Sequence, residues 1–281
     1  MNAKKENYQL TASIVLYKND NDIVLKAIES FLNTKLHVRI LLIDNSPTDD
    51  LKCFSQMDDR IFYLFNGVNI GFGAAHNKAI KEVLGYSKYH LILNPDVYFD
   101  GESVLEKMYN YMEEHSEIGI LSPKVFYPDG SLQYLCRKLP APADMLLKRV
   151  APSFIRNLFN KRLNEYEFKT RNYDEIMNVP SLSGCFMFVR NEVFNKIEGF
   201  DEKFFMYMED FDFTRRALKY YKTVYYPYAI IYHHYARESK KNKKLLYISI
   251  QSVIYYFNKW GWFVDREREK FNLEAFGNVA K

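Results

Sequence analysis

Cysteine is scarce in this chain, and what there is lies scattered. Cys53, Cys136 and Cys185 make no CxxC pair and no even framework within 281 residues. That excludes a disulfide-stapled scaffold, speaks against a structural zinc site and fits a reducing compartment. No window of about 18 uninterrupted apolar residues is present, so no membrane-spanning helix is expected. The opening MNAKKENYQL has no apolar run after its charges, so no signal peptide is read there and a cytoplasmic chain is expected. Nor does one sign of charge dominate. Thirty-nine Lys and Arg face 35 Asp and Glu, a net charge of +4, and the basic residues concentrate in two separate stretches. Nucleic acid is therefore not an expected partner. No internal repeat and no low-complexity segment occurs. What the chain does have is aromatic rings, 23 Tyr and 22 Phe, which can line a sugar cleft or meet a membrane interface. An aromatic-rich core accounts for most of them.

Apolar runs and turn signals alternate through the first third. TASIVLY (11–17), HVRILLIDNS (37–46), IFYLFN (61–66) and YHLILNPDV (89–97) have the pattern of buried strands. Between them, DIVLKAIESFL (22–32) sets Ile23, Ala27, Ile28 and Phe31 on one helical face, and AAHNKAIKEVLG (74–85) predicts a helix with a glycine stop. SVLEKMYNYMEEH (103–115) predicts another helix, and KVFYPDGSLQYL (124–135) a hairpin around Pro128-Asp129-Gly130. The alternation implies an α/β fold with a mostly parallel sheet covered on both faces. Ligands bind beyond the carboxyl ends of such strands, which makes Asn19, Asp44, Asn94 and Asp96 candidates.

Residues 137–178 break the pattern with three prolines and many Lys and Arg between short apolar clusters. A solvated insertion and a lid or acceptor-binding loop near anionic groups both fit. Beyond it, FFMYMEDFDFTRRALKYY (204–221) predicts a helix from its acids onward, and TVYYPYAIIYHHYARES (223–239) begins as a strand. KKNKKLLYISIQSVIYYFNKWGW (240–262) leads from a basic cluster into an aromatic amphipathic helix.

Three clusters of polar residues carry chemistry. In LNPDV, Asp96 follows Pro95 at a strand end, a position that suits a divalent ion bridging a diphosphate and suits a turn equally well. In NIGFGAAHNKA (69–79), glycines two apart enter a helix, where backbone N–H groups can approach a phosphate or ribose. The third glycine of a dinucleotide fingerprint is missing, and there is no Walker loop. In FFMYMEDFDF, Glu209, Asp210 and Asp212 fall in a first helical turn, where the helix dipole favours acids and where a carboxylate at a cleft edge can serve as a general base. His233-His234, after the strand-like AIIY, can ligate a metal or be structural.

Taken in order, SIVLYKND, LLIDNS, NIGFGAAHNKA, LNPDV, the long segment ending MYMEDFDFTRRA, and IIYHH resemble the inverting family 2 glycosyltransferases. The closest likeness is to bacterial rhamnosyltransferases that build O-antigen and related polysaccharides, and it covers residues 12–262. The resemblance implies a GT-A fold, a Rossmann-like nucleotide-diphospho-sugar transferase, over 8–239, followed by an amphipathic helical extension at 240–281. It places Asp44 on the nucleotide base, and Tyr17, Asn19, Asn69, Gly71, Phe72, Gly73 and Asn77 around the donor. Asp96 matches the metal-binding last acid of the family's DxD motif, and Asn94 stands where many members have the first Asp. Asp210 matches the catalytic base, with Glu209 assisting or touching the acceptor. His233 matches the histidine that completes the metal site, with His234 as fallback. A divalent cation, Mg²⁺ or Mn²⁺, is the implied cofactor. The implied donor is dTDP-L-rhamnose and the implied acceptor a lipid-linked saccharide, met at the inner face of the cell membrane. A UDP-glucosyl or UDP-galactosyl transferase of the same fold, or a non-catalytic nucleotide-sugar-binding scaffold, are the alternatives.

Overall fold

Nine strands in one open sheet, with helices on its faces, position everything that follows. The structure, a computed structural model, describes residues 7–101, 103–149, 151–234 and 243–277. Four strands form its parallel half: β1 (Tyr8–Leu16), β2 (Val38–Asp44), β3 (Ile61–Phe65) and β4 (Ser87–Leu93). Helix α1 (Asn21–Leu32) connects β1 to β2, and α2 (Phe72–Val83) connects β3 to β4. Asp20 caps α1 by accepting from the N–H groups of Asp22 and Ile23, and the buried face is Val24, Ala27, Ile28 and Phe31. Val24 thus takes the place expected of Ile23.

Three more strands extend the sheet in the order β3-β2-β1-β4-β8-β6-β9. They are β6 (Ile118–Phe126), β8 (Phe186–Arg190) and β9 (Lys222–His233); the two-residue β5 (Val97–Tyr98) and β7 (Met177–Asn178) pair along the outer side of β9. The long pairings are parallel, and β8 runs antiparallel between β4 and β6 as a break in that pattern. Its five residues are all buried, and a run of that kind reads the same in either direction. The expected hairpin at 124–135 is reduced to one bridge, Phe126 to Leu132, across the turn at Asp129-Gly130.

Helix α3 (Val104–Glu114) covers the sheet between β5 and β6, while α4 (Pro142–Arg149), α5 (Ser153–Leu158) and α6 (Asn160–Tyr166) build the proline-rich excursion. α7 (Asn191–Ile197) and α8 (Glu209–Ala217) complete the catalytic half. Helices α9 (Lys243–Trp260) and α10 (Arg266–Ala275) dock on it. Tyr256 and Phe257 of α9 join Met145, Tyr166, Phe204 and Met208 in one apolar cluster. Arg215 of α8 forks onto both oxygens of Asp265 at 2.6 Å and stacks 4.1 Å from the Trp260 ring. The opposite face of α9 leaves Leu246, Tyr247, Ile250 and Ile254 exposed. No helix among the described residues is long and apolar enough to cross a membrane. The division expected between 239 and 240, and Lys240 and Lys241 of the basic cluster, lie outside the described residues.

A buried polar chain runs under β1, with no outward sign in the sequence. Thr11 Oγ1 meets His90 Nδ1 at 2.8 Å, His90 Nε2 meets Ser13 Oγ at 2.8 Å, and Ser13 Oγ meets His76 Nδ1 at 2.7 Å. Burial drives both imidazoles towards the neutral form, His90 down to about 3 and His76 well below the usual histidine range.

Candidate active site

The three acids of the 204–213 stretch receive three different environments from one strained turn. Tyr207 and Met208 both take left-handed backbone angles, φ 70° and 68°, without being glycine. Each such residue costs ~1–3 kcal/mol and persists only where the surroundings enforce it, typically at functional sites. The turn delivers Asp210 to the first turn of α8, where Oδ1 accepts from the Phe211 N–H at 2.9 Å and Oδ2 from the Gly184 N–H at 3.3 Å. Burial pushes the Asp210 carboxyl above its ordinary range, and these two N–H groups only partly offset it. Glu209 is pushed well up as well, by burial and then by the charge of Asp210, and its Oε2 is buried without a hydrogen-bond partner. Two adjacent carboxyls with raised values share their protons, and one that stays ionised is a stronger base than a surface aspartate. Asp212 belongs to the architecture: fully buried, it accepts from Arg216, Lys259 and Trp260 and locks α8 to α9.

Asp210 opens onto a cavity of ≈550 Å³ whose wall includes Ser183, Tyr166, Tyr207, Phe211, Arg137 and His233. Glu209 is not on that wall. His233 arrives by strand pairing, because β5 binds β9 with Val97 opposite His233, and the His234 N–H donates to the Asp96 carbonyl at 3.0 Å. His233 Nε2 consequently lies 3.4 Å from Asp96 Oδ1. Burial raises the Asp96 pKa, but the imidazole outweighs it and leaves the carboxyl below its usual value. Gln133 sets the ring. Its Nε2 donates to the His233 carbonyl at 2.7 Å, so its Oε1 faces His233 Nδ1 at 3.0 Å, and Nδ1 carries the proton. Nε2 is the ring nitrogen that faces Asp96, and a partner that fixes Nδ1–H is how metal-ligating histidines are oriented. A separation of 3.4 Å is close to the ~3 Å between neighbouring ligands on one ion, so the pair fits a divalent cation. No group of three or more His, Cys, Asp or Glu among the described residues could hold a metal. Diphosphate oxygens and water would therefore complete such a coordination shell. His234 is exposed and leans on Tyr98 instead.

The expected donor residues divide. Tyr17 sits exposed and Asn19 half-buried just past β1, where Asn19 Oδ1 accepts from the Tyr17 N–H. Asn94 holds the end of β4 to Cys185 through its N–H. Asp44 is fully buried, with Oδ1 accepting from the Ser46 N–H and Oδ2 from the Tyr63 hydroxyl at 2.6 Å. Asn69 accepts from the Gly71 N–H and from Asn45.

Four residues of NIGFGAAHNKA pack against the 199–205 segment. A Cβ on Gly71 would stand 2.6 Å from the Phe205 carbonyl oxygen, and one on Gly73 would stand 2.9 Å from the Phe200 side chain. The Phe72 N–H donates to that same Phe205 oxygen, and the Phe72 ring packs edge-on to Phe200. Asn77 donates to the Phe200 carbonyl and Glu202 and accepts from the Phe200 N–H, so its amide clamps the 199–202 turn. These contacts hold the segment that leads into the acidic turn. Gln133, Gly184 and Asn45 were missed. Asn45 joins the end of β2 to Asn66, Asn69 and Gly71, and no local pattern marks any of the three.

The family described as glycosyl transferase family 2 matches residues 13–198. The chain is 29% identical over 223 residues to an N-acetylglucosaminyl-diphospho-decaprenol L-rhamnosyltransferase of Mycobacterium tuberculosis, covering 75% of this chain and 71% of that one. It is 28% identical over 211 residues to the rhamnosyltransferase WbbL of Escherichia coli K12, covering 72% and 75%. Among solved structures, GalNAc-T7 with UDP, GalNAc and Mn²⁺ superimposes with a TM-score of 0.69 at 14% identity, over 98% of this chain and 52% of that one. TarS of S. aureus superimposes with a TM-score of 0.60 at 14% identity, over 96% and 43%. The chain spans about half the length of these two structures and shares with them the GT-A fold.

Proposed function

Because the chain belongs to glycosyl transferase family 2 and is a hexosyltransferase, we propose that it moves L-rhamnose from dTDP-L-rhamnose to a hydroxyl of a lipid-linked saccharide, with inversion. The observation that carries this reading is one cavity walled by both Asp210, a half-buried carboxylate with a raised pKa, and His233 of the Asp96–His233 pair. The rhamnosyl assignment rests on likeness to two rhamnosyltransferases.

The acceptor hydroxyl lies against Asp210 Oδ and attacks the anomeric carbon. The new C–O bond forms as the bond to the diphosphate breaks, and Asp210 takes the hydroxyl proton. The Gly184 and Phe211 N–H groups hold the carboxylate in place during the transfer. Glu209, buried behind the cavity wall and favouring its neutral form, adds no second charge next to Asp210. Asp96 and His233 would hold a Mg²⁺ or Mn²⁺ ion, which when bound stabilises negative charge on the departing diphosphate. One face of α9 is occupied by the domain and the other is exposed and apolar, which supports peripheral contact with the inner membrane face that carries the acceptor.

The test is transfer from dTDP-L-rhamnose, UDP-glucose and UDP-galactose to a short polyprenyl-diphosphate GlcNAc, with Mn²⁺, Mg²⁺ or EDTA, and the anomeric configuration read by NMR. A metal-dependent, inverted rhamnoside supports the reading. A UDP-sugar preference changes the donor, and retention of configuration removes the single displacement. Donor binding without turnover in any combination favours the scaffold.

A further inference from the structure

A group of cations stands beside the catalytic cavity that the chemistry above does not use. Arg137, Lys148 and Arg156 line the ≈550 Å³ cavity that holds Asp210. The same three, with Leu135, line a second cavity of ≈630 Å³ walled by residues of α5 and α6. The two spaces therefore meet at these side chains. One carboxylate serves them: Glu167 Oε1 lies 2.8 Å from Lys148 Nζ and 3.8 Å from Arg137 Nη2, and its Oε2 lies 2.5 Å from Lys169 Nζ. Arg156 makes no ion pair with a described residue. Across the two joined spaces, four cations against the carboxylates of Glu167 and Asp210 leave an excess of two positive charges around a space large enough for a ligand. Such an excess costs repulsion energy unless an anion arrives to share it.

We propose that Arg137, Lys148 and Arg156 form the site for the diphosphate of the lipid-linked acceptor. The inference rests on the transferase reading above, and the arrangement orders an acceptor of that chemistry from end to end. Its sugar hydroxyl reaches Asp210 in the inner cavity, and its diphosphate lies at the junction among the three cations. Its lipid leaves past α5, where Phe154 and Leu158, on the helix that carries Arg156, are 66% and 79% exposed. Cations followed directly by exposed apolar side chains suit a diphosphate with a hydrocarbon tail better than a free polysaccharide. The donor's diphosphate has its own place at Asp96 and His233, so the second cluster duplicates nothing.

Two readouts test this. Acceptor kinetics compare polyprenyl-diphosphate GlcNAc with octyl GlcNAc, which has no phosphate, in the parent, Arg156→Gln, Arg156→Lys and Lys148→Met. In Arg156→Gln the ratio of kcat/KM between the two acceptors falls ~10- to 100-fold, as expected for losing one charge-assisted contact, and Arg156→Lys restores much of it. An unchanged ratio, or a loss that falls on donor KM, overturns the site. Calorimetry then compares geranyl diphosphate, inorganic pyrophosphate and geraniol in EDTA, so that no cation bridges to Asp96 and His233. Geranyl diphosphate binding the parent and weakening in both Arg156→Gln and Lys148→Met supports the inference even if no acceptor turns over. Equal binding by parent and variants, or pyrophosphate binding as tightly as geranyl diphosphate, overturns it.

Discussion

Replacing Asp210 with Asn changes one oxygen to NH₂ and separates catalysis from stability. General-base catalysis supplies ~10²–10⁴-fold in rate, or ~2.7–5.5 kcal/mol of barrier, and Asn cannot accept the proton. The stability effect is a contest between two terms. The carboxylate accepts from two backbone N–H groups, and Asn can accept through only one oxygen, so one N–H loses its partner at a cost of ~1–3 kcal/mol. Against that, the Asp210 pKa is raised in the fold. A carboxyl raised above its unfolded value is penalised at every pH above the folded value, so at pH 7 its ionised form opposes folding and the neutral amide does not. The terms oppose, and the net change stays within ~2 kcal/mol, or about 3–4 °C in Tm for a chain of 281 residues. Asp210→Asn is expected to lose at least 10²-fold in kcat, keep its donor affinity by calorimetry and melt close to the parent. The parent's kcat/KM should also show an acid limb above the ordinary aspartate value of 3.8, belonging to the Glu209–Asp210 pair. Turnover above about a tenth of the parent would remove Asp210 as the base, and a large drop in Tm would show that it holds the fold.

Gln133→Met removes the acceptor of the His233 Nδ1 proton without touching Asp96, and Mn²⁺ affinity in the presence of dTDP, read by calorimetry, should fall ~10- to 100-fold; unchanged affinity refutes the orienting role. Arg215→Met strands a buried Asp265 and should cost ~3–5 kcal/mol in urea denaturation, whereas Arg215→Met with Asp265→Leu recovers most of it. A single variant as stable as the parent would show that α10 does not depend on the pair. His76 and His90 are held neutral, with folded pKa values depressed below the unfolded 6.5, so their contribution is complete above that value and is lost as pH falls, for His90 from about 6.5 towards about 3. Between pH 7 and 5 His90 removes about 2 kcal/mol and His76 acts in the same direction, before Glu167 and Asp58, whose lowered values act only below 4.5, begin to protonate. Glu209 and Asp210, with raised values, gain stability as pH falls, so the test uses the Glu209→Gln/Asp210→Asn double variant, in which a flat stability across that interval would contradict the buried neutral pair.

Local pattern alone settled the segments whose signal is local. Apolar runs of strand length and the helical face of α1 needed no partner to be read, because backbone preference and periodicity act within a few residues. The order of the motifs likewise pointed to Asp96, Asp210 and His233 as chemically active. Tertiary structure decided what those residues face. Asp96 and His233 are 137 positions apart in the chain and meet only because β5 pairs with the end of β9, and Gln133 reaches them across a turn that carries no motif. The antiparallel β8 was illegible because five consecutive buried residues carry no direction. The glycines of NIGFGAAHNKA read as room for a close neighbour of any kind; only packing shows that Phe200 and the Phe205 backbone press against them. In FFMYMEDFDF, composition placed three acids together, but burial, two N–H groups and the Asp212 ion pairs gave them three different environments.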